Sequence, residues 1–177
     1  MTVEAMPDTP QRIVVGVAGT GASVAAVAWA AREAALRGAV LQAVHAWQPA
    51  ERGRAPYAPG QHCLDREADQ RAAEEVLAAT VHEALGAVGR SGEGVVLEAV
   101  EGRPVPVLLR GAAGADLLVL GGPPAGGHDP AHPGPDHVGP VARACLRTAP
   151  CPVVVVGERQ VAALRKAPRR PLAGVAG

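Results

Sequence analysis

The stretch RIVVGVAGTGASVAAVAWAAREAALRG, residues 12–38, sets two periodicities back to back. Through Val17 it is a continuous apolar run closed by glycine, the pattern of a strand buried on both faces. From Gly21 onward helix formers dominate, charge enters only at Arg32, Glu33 and Arg37, and Gly38 stands where a helix would stop. A buried strand handing over to a helix is half of a β-α-β unit. If the pattern recurs, the chain builds a parallel sheet.

It does recur. AVLQAVHAW (39–47) reads as a second strand, followed by a Pro/Gly/Arg-rich connection from Gln48 to about Gln61. A helix from Leu64 to about Val88 then places Ala, Val and Leu on one face and Glu, Arg and Asp on the other. GVVLEAV (94–100), ADLLVLG (115–121) and CPVVVVG (151–157) are three further strands. PVPVLLRGAAG (104–114) and GPVARACLRTA (139–149) are the helices between them, the latter with Pro140 in its first turn. Strands alternating with helices predict right-handed crossovers and a single doubly wound α/β domain. Its five-stranded parallel sheet would carry helices on both faces. Residues 1–11 read as a loose leader, 12–157 as the domain, and 158–177 as a basic tail carrying Arg159, Arg165, Lys166, Arg169 and Arg170.

Composition narrows the functional classes. The 177 residues are 48% hydrophobic but contain no Phe, and the formal net charge is zero. Neutrality gives no overall pull toward nucleic acid or acidic membrane. No apolar run is long enough for a bilayer span, and no secretory signal pattern opens the chain. Cys63, Cys145 and Cys151 are odd in number and lack C-x-x-C spacing, which argues against a disulfide framework and a zinc knuckle. The expected setting is cytoplasmic.

In doubly wound sheets ligands bind beyond the C-terminal strand ends, where the strand order reverses. Three ends matter: Gly16-Val17-Ala18, His45-Ala46-Trp47 and Leu120-Gly121-Gly122. After the last comes an unusual loop, GGPPAGGHDPAHPGPDHVGP (121–140). His128, His132 and His137, with Asp129 and Asp136, include zinc- or nickel-type ligands, but Pro and Gly between them leave no fixed geometry, so a solvated loop is preferred. His45 has no nucleophile or carboxylate at a recognisable spacing and reads as a packed strand-end residue. Cys151 reads as a small buried thiol, and Trp29 and Trp47 as packing residues. GTGAS after the first strand lacks both G-x-G-x-x-G spacing and a P-loop Lys. The basic tail lacks interleaved aromatics, so no nucleic-acid role is expected.

IVVGVAGTGAS, LQAVHAWQP, GADLLVLG and VARACLRTAPCPVVVV resemble, in order and spacing, the corresponding stretches of the universal stress protein family. The resemblance runs from about Arg12 to Gly157. It implies an adenine nucleotide alpha hydrolase-like fold with strand order 3-2-1-4-5, and homodimers joined through the last strand, here residues 152–156. ATP-binding members carry G-x2-G-x9-G-[S/T] after the fourth strand, where glycines admit the phosphates and the hydroxyl caps a helix N-terminus. Gly121 matches the first glycine and Gly139 the last, but Pro124 holds the second position and the gap to Gly139 is five residues too long. Pro140 replaces the Ser/Thr, Ala142 a second hydroxyl, and Ala18 the Asp that usually ends the first strand. Asp129 and Asp136 add negative charge to the loop. What the resemblance implies is a vestigial nucleotide cleft at Gly16, Val17, Ala18, Ala46, Leu120, Gly121, Gly139, Pro140 and Val141. The expected protein is a non-catalytic stress-response dimer without a cofactor, ATP being possible but disfavoured, acting on unidentified protein partners. The alternative is an adenine-nucleotide sensor that uses a remodelled loop.

Overall fold

The computed structural model describes residues 10–49, 61–122 and 138–157, with backbone only for 61–65. Most of the leader, the basic tail, most of the Gln48–Gln61 connection and loop residues 123–137 lie outside these. So do Pro124, Asp129, Asp136 and the three loop histidines. The described chain runs β1 (Arg12–Val17), α1 (Gly21–Arg37), β2 (Val40–Trp47), α2 (Gln61–Ala87), β3 (Val95–Glu101), α3 (Pro104–Gly111), β4 (Leu117–Gly121), α4 (Pro140–Thr148) and β5 (Val153–Val156). Every strand and helix read from the sequence is present. The largest shifts are at α2, which begins at Gln61, and at α3, which stops at Gly111 and gives way to turns around Gly114, φ 70°.

The five strands form one parallel sheet in the order β3-β2-β1-β4-β5. β1 is central, registered Ile13↔Leu41 on one side and Ile13↔Leu117 on the other. Its position explains its sequence, since Ile13, Val14 and Val15 are fully buried between two layers of helix. On one face Ile13, Val15 and Val17 meet α1 and α2 through Val27, Leu77, Val81 and Leu85. On the other, Val14, Leu118 and Leu120 meet α3 and α4 through Val107, Leu108 and Cys145. Burying each large aliphatic side chain contributes about 1.5–3 kcal/mol.

A chain without Phe packs by bringing its backbones close. The buried face of α1 is mostly alanine, with Ala22, Ala25, Ala26, Ala28, Ala30, Ala31 and Ala34 inside. The helix ends at Gly38, whose φ of 65° suits glycine and whose N–H donates to Ala34 O. α2 buries Ala73, Leu77, Thr80, Val81, Ala84 and Leu85, one stripe at helical spacing. Thr80 satisfies its hydroxyl within the helix, donating to Val76 O at 2.7 Å. At the opposite end of the sheet from the strand C-termini, Arg12 ties three elements together. Its guanidinium donates to Gln42 Oε1 and to Ala113 O, both at 2.6 Å, while its backbone N–H donates to Asp116 Oδ2 at 2.8 Å.

Candidate nucleotide cleft

The strand order reverses between β1 and β4, so the crevice lies between the β1–α1 turn and the start of α4. At the first wall the chain leaves β1 at Ala18 and Gly19 and enters α1 through Thr20. Thr20 is the helix N-cap, with extended backbone (φ −113°, ψ 162°) and its hydroxyl 3.3 Å from Ser23 N. Ser23 is buried, and its Oγ accepts from Ala18 N at 2.9 Å. Two side chains three residues apart thus satisfy backbone donors on both sides of the turn, as a capping box does. The sequence reading missed this pair, which the T-x-x-S spacing at the start of α1 could have marked. Gly19 has φ 67°, and a Cβ there would lie 2.7 Å from Val76 Cγ1 of α2.

The floor is apolar and filled. A Cβ at Gly16 would sit 2.7 Å from Leu120 Cδ2 and 2.9 Å from Leu108 Cδ2, so α3 packs directly onto this glycine. Val17 and Leu120 are buried, each in one of the two cores, and Ala46 is half-buried against the α3–α4 side. Gly121 is the tightest point: a Cβ there would lie 2.8 Å from both the C and O of Ala22 and 3.1 Å from its Cβ. β4 can end beside the first turn of α1 only because this residue has no side chain. Leu108, whose side chain occupies the space that Gly16 leaves, carried no signal of its own in the sequence.

At the second wall α4 starts with Gly139 as N-cap (φ −56°, ψ 161°) and Pro140 at its first position, with no side-chain cap. Pro140 is exposed, Gly139 and Val141 are half-buried and Ala142 is buried. Arg143 is the nearest cation in sequence and rests over Val138 O at 3.4 Å. No acidic residue lies in the first turn of α1 or α4. Both helix starts therefore present the positive end of their dipoles to the crevice. What α4 lacks is a hydroxyl and the backbone donor that Pro140 removes.

The remaining candidates separate. His45 Nδ1 lies 2.8 Å from Val17 O, and since a carbonyl only accepts, Nδ1 carries the proton. The ring thus ties β2 to the end of β1, and among the described residues it bonds no hydroxyl, thiol or carboxylate. Burial pushes the Cys145 thiol up. Burial and then the Asp116 charge raise that of half-buried Cys151, against smaller opposing effects of the Leu118 N–H and Arg12. Neither thiol has the lowered pKa of a nucleophile. Trp29 packs half-buried on the α1–α2 core, and Trp47 is buried with its Nε1 unpartnered. No group of three His, Cys, Asp or Glu capable of holding a metal occurs among the described residues. No helix among them is long and apolar enough to cross a membrane.

Comparison with known proteins agrees with this geometry. Universal stress protein Rv2028c of Mycobacterium tuberculosis is 34% identical over 152 residues, covering 86% of this chain and 50% of the relative. The chain thus spans about half the length of the curated relatives it matches. Among solved structures, universal stress protein UspA from Lactobacillus plantarum aligns with a TM-score of 0.60 at 22% identity, over 82% of this chain and 97% of that one. A universal stress family protein from Burkholderia pseudomallei aligns at 0.51 and 23%, over 82% and 95%. Both likenesses concern the fold. The profile described as "Universal stress protein family" matches residues 9–157, and with that span and the relative's identity, the chain belongs to the universal stress protein family.

Proposed function

We propose that this chain serves stress response as a non-catalytic dimer joined through β5, acting by contact with partner proteins, and that it binds ATP weakly or not at all. The observation that carries the reading is the start of α4, where Gly139 and Pro140 supply neither a capping side chain nor a full set of donors. A phosphate at a helix N-terminus depends on those groups. A hydrogen bond to a charged partner contributes about 1.5–3 kcal/mol, so losing a donor and a hydroxyl together lowers affinity by roughly two to four orders of magnitude. Ala18, exposed at the end of β1, offers no carboxylate either. The non-catalytic part of the proposal is supported by His45, whose ring is engaged with Val17 O, and by two cysteines whose thiols are held protonated. The dimer follows from β5, an edge strand of four valines that needs cover on its open side.

Calorimetric titration of the purified chain with millimolar Mg-ATP tests the ligand claim. Heat at or near background is expected. Micromolar affinity would overturn it and favour the nucleotide-sensor reading instead.

A further inference from the structure

The sheet ends on its other side at β3, and this edge is more open than β5. Among the described residues β3 bonds to β2 alone, in a register that runs from Leu41↔Val95 to Trp47↔Glu101 without a bulge. No proline interrupts VVLEAVE. The backbone N–H and C=O groups that face outward along it have no strand partner among the described residues. Its side chains are open too, Val96 and Leu97 each being 45% exposed. Beside this edge α2 fails to close over Leu97, and two concavities of about 300 and 460 Å³ meet at that side chain. The first is floored by Val81, Leu85 and Val95 and ends at His82 and Arg90, the latter engaged with Ala31 O at 3.0 Å. The second opens between Leu77 and Glu74 of α2 and the strand from Leu97 to Val100, whose Glu98 alternates to the opposite face of the sheet. Glu101 is held by Arg66 at 2.8 Å, whereas Glu98 makes no ion pair among the described residues.

We infer that β3 and the groove beside it receive an extended segment of a partner protein, added as a sixth strand, with an apolar side chain beside Leu97 on the α2 face and a basic one opposite Glu98 on the other face. Strand addition draws affinity from the backbone and specificity from alternate side chains. The charge pattern selects the occupant. Glu98 is the midpoint of the seven-residue strand, so symmetric antiparallel pairing with a second copy would set Glu98 against Glu98. Like charges directly opposite destabilise a strand pair. A segment with Lys or Arg at that place meets a carboxylate instead. The inference rests on the partner-contact reading and gives it a surface.

The test uses the full chain and the acetylated, amidated peptide Thr-Val-Thr-Val-Lys-Val-Lys, its reversed sequence, and the same pair with Glu for Lys. Amide hydrogen exchange reports the site. One lysine peptide, in either direction, is expected to slow exchange of β3 amides by roughly tenfold at saturation, and the Glu peptides are not. Glu98→Lys, at an exposed position, is expected to reverse the preference. Three results would overturn the proposal: no β3 protection by any peptide, equal protection by the Lys and Glu peptides, or a preference unchanged in Glu98→Lys. β3 protection that rises with protein concentration and without peptide would assign the edge to a second copy and also overturn it. An ATP titration of the same sample separates the two ideas. Missing peptide protection without ATP binding removes only the docking surface, whereas micromolar ATP affinity removes the reading beneath it.

Discussion

Replacing Gly121 by Ala should destabilise the domain, and the geometry sets the size. The added methyl would sit 2.8 Å from the carbonyl carbon and oxygen of Ala22 and 3.1 Å from its Cβ. Ordinary carbon contacts lie at about 3.5–4.0 Å, so the two elements must separate by roughly 0.7 Å or more. Neither yields easily. Ala22 sits in the first turn of α1, pinned by Thr20 and Ser23, and Gly121 pairs with Val156 in β5. Overpacking of this kind costs about 1–3 kcal/mol. Removing a glycine also restricts the unfolded chain, which offsets about 0.4–1 kcal/mol. The expected net loss is about 1–2 kcal/mol, or a fall in Tm of roughly 2–8 °C for a domain of this size.

Urea and thermal unfolding of Gly121→Ala beside Gly38→Ala would measure it. Gly38 has open space around it but φ 65°, so its loss, about 1 kcal/mol, reports conformation without a clash. A Gly121→Ala protein as stable as the parent would refute the packing argument. The glycine would then need another reason to be there, and a phosphate would be the first to consider.

Thr20→Ala removes the α1 cap and should lower stability by about 1 kcal/mol in urea denaturation; an unchanged midpoint would show that Ser23 suffices alone. The raised thiol pKa of Cys145 and Cys151 predicts slow alkylation at neutral pH, slower for buried Cys145 than for half-buried Cys151, as mass spectrometry of timed samples would show. Because the folded thiol pKa values lie above the unfolded value of about 8.5, their contribution to stability is full below that pH. It is lost as pH rises through the folded values, so a denaturation midpoint still climbing above pH 9 would contradict the assignment. Val154→Lys should shift gel-filtration elution from dimer to monomer, and a variant that melts cooperatively yet still elutes as a dimer would remove the β5 interface.

The sequence carried the fold because its signals were local. The apolar runs Ile13–Val15 and Val153–Val156, a stop at Gly38 and a proline at the start of α4 each fix an element without reference to the rest. The parallel sense and the helices on both faces then followed from β-α alternation, and the strand order from the family resemblance. The close approaches were not legible, because they are relations between distant residues: Leu108 meets Gly16, and Ala22 meets Gly121, across different elements. The openness of β3 was hidden for a similar reason. VVLEAVE reads as an ordinary half-buried strand, and only its place at the edge, beside a helix that leaves Leu97 uncovered, turns it into a surface.

That distinction bears on how the cleft should be judged. Gly121 matches the first glycine of the ATP-binding pattern and Gly16 lies in the same cleft, yet both are required by packing, so their presence says nothing about a ligand. The discriminating positions are those the fold does not need. Ala18 and Pro140 are exposed, and no core contact depends on either side chain. Substitutions at such positions normally change stability by no more than about 0.5 kcal/mol. Restoring Ala18→Asp and Pro140→Ser should therefore leave the melting curve nearly unchanged. With the loop between Gly121 and Gly139 shortened to family length, the same changes should raise ATP affinity into the measurable range. A stable, well-folded triple variant that still gives no calorimetric signal would show that the obstacle lies in the filled floor, where Leu108 and Leu120 close on Gly16, rather than at the phosphate end.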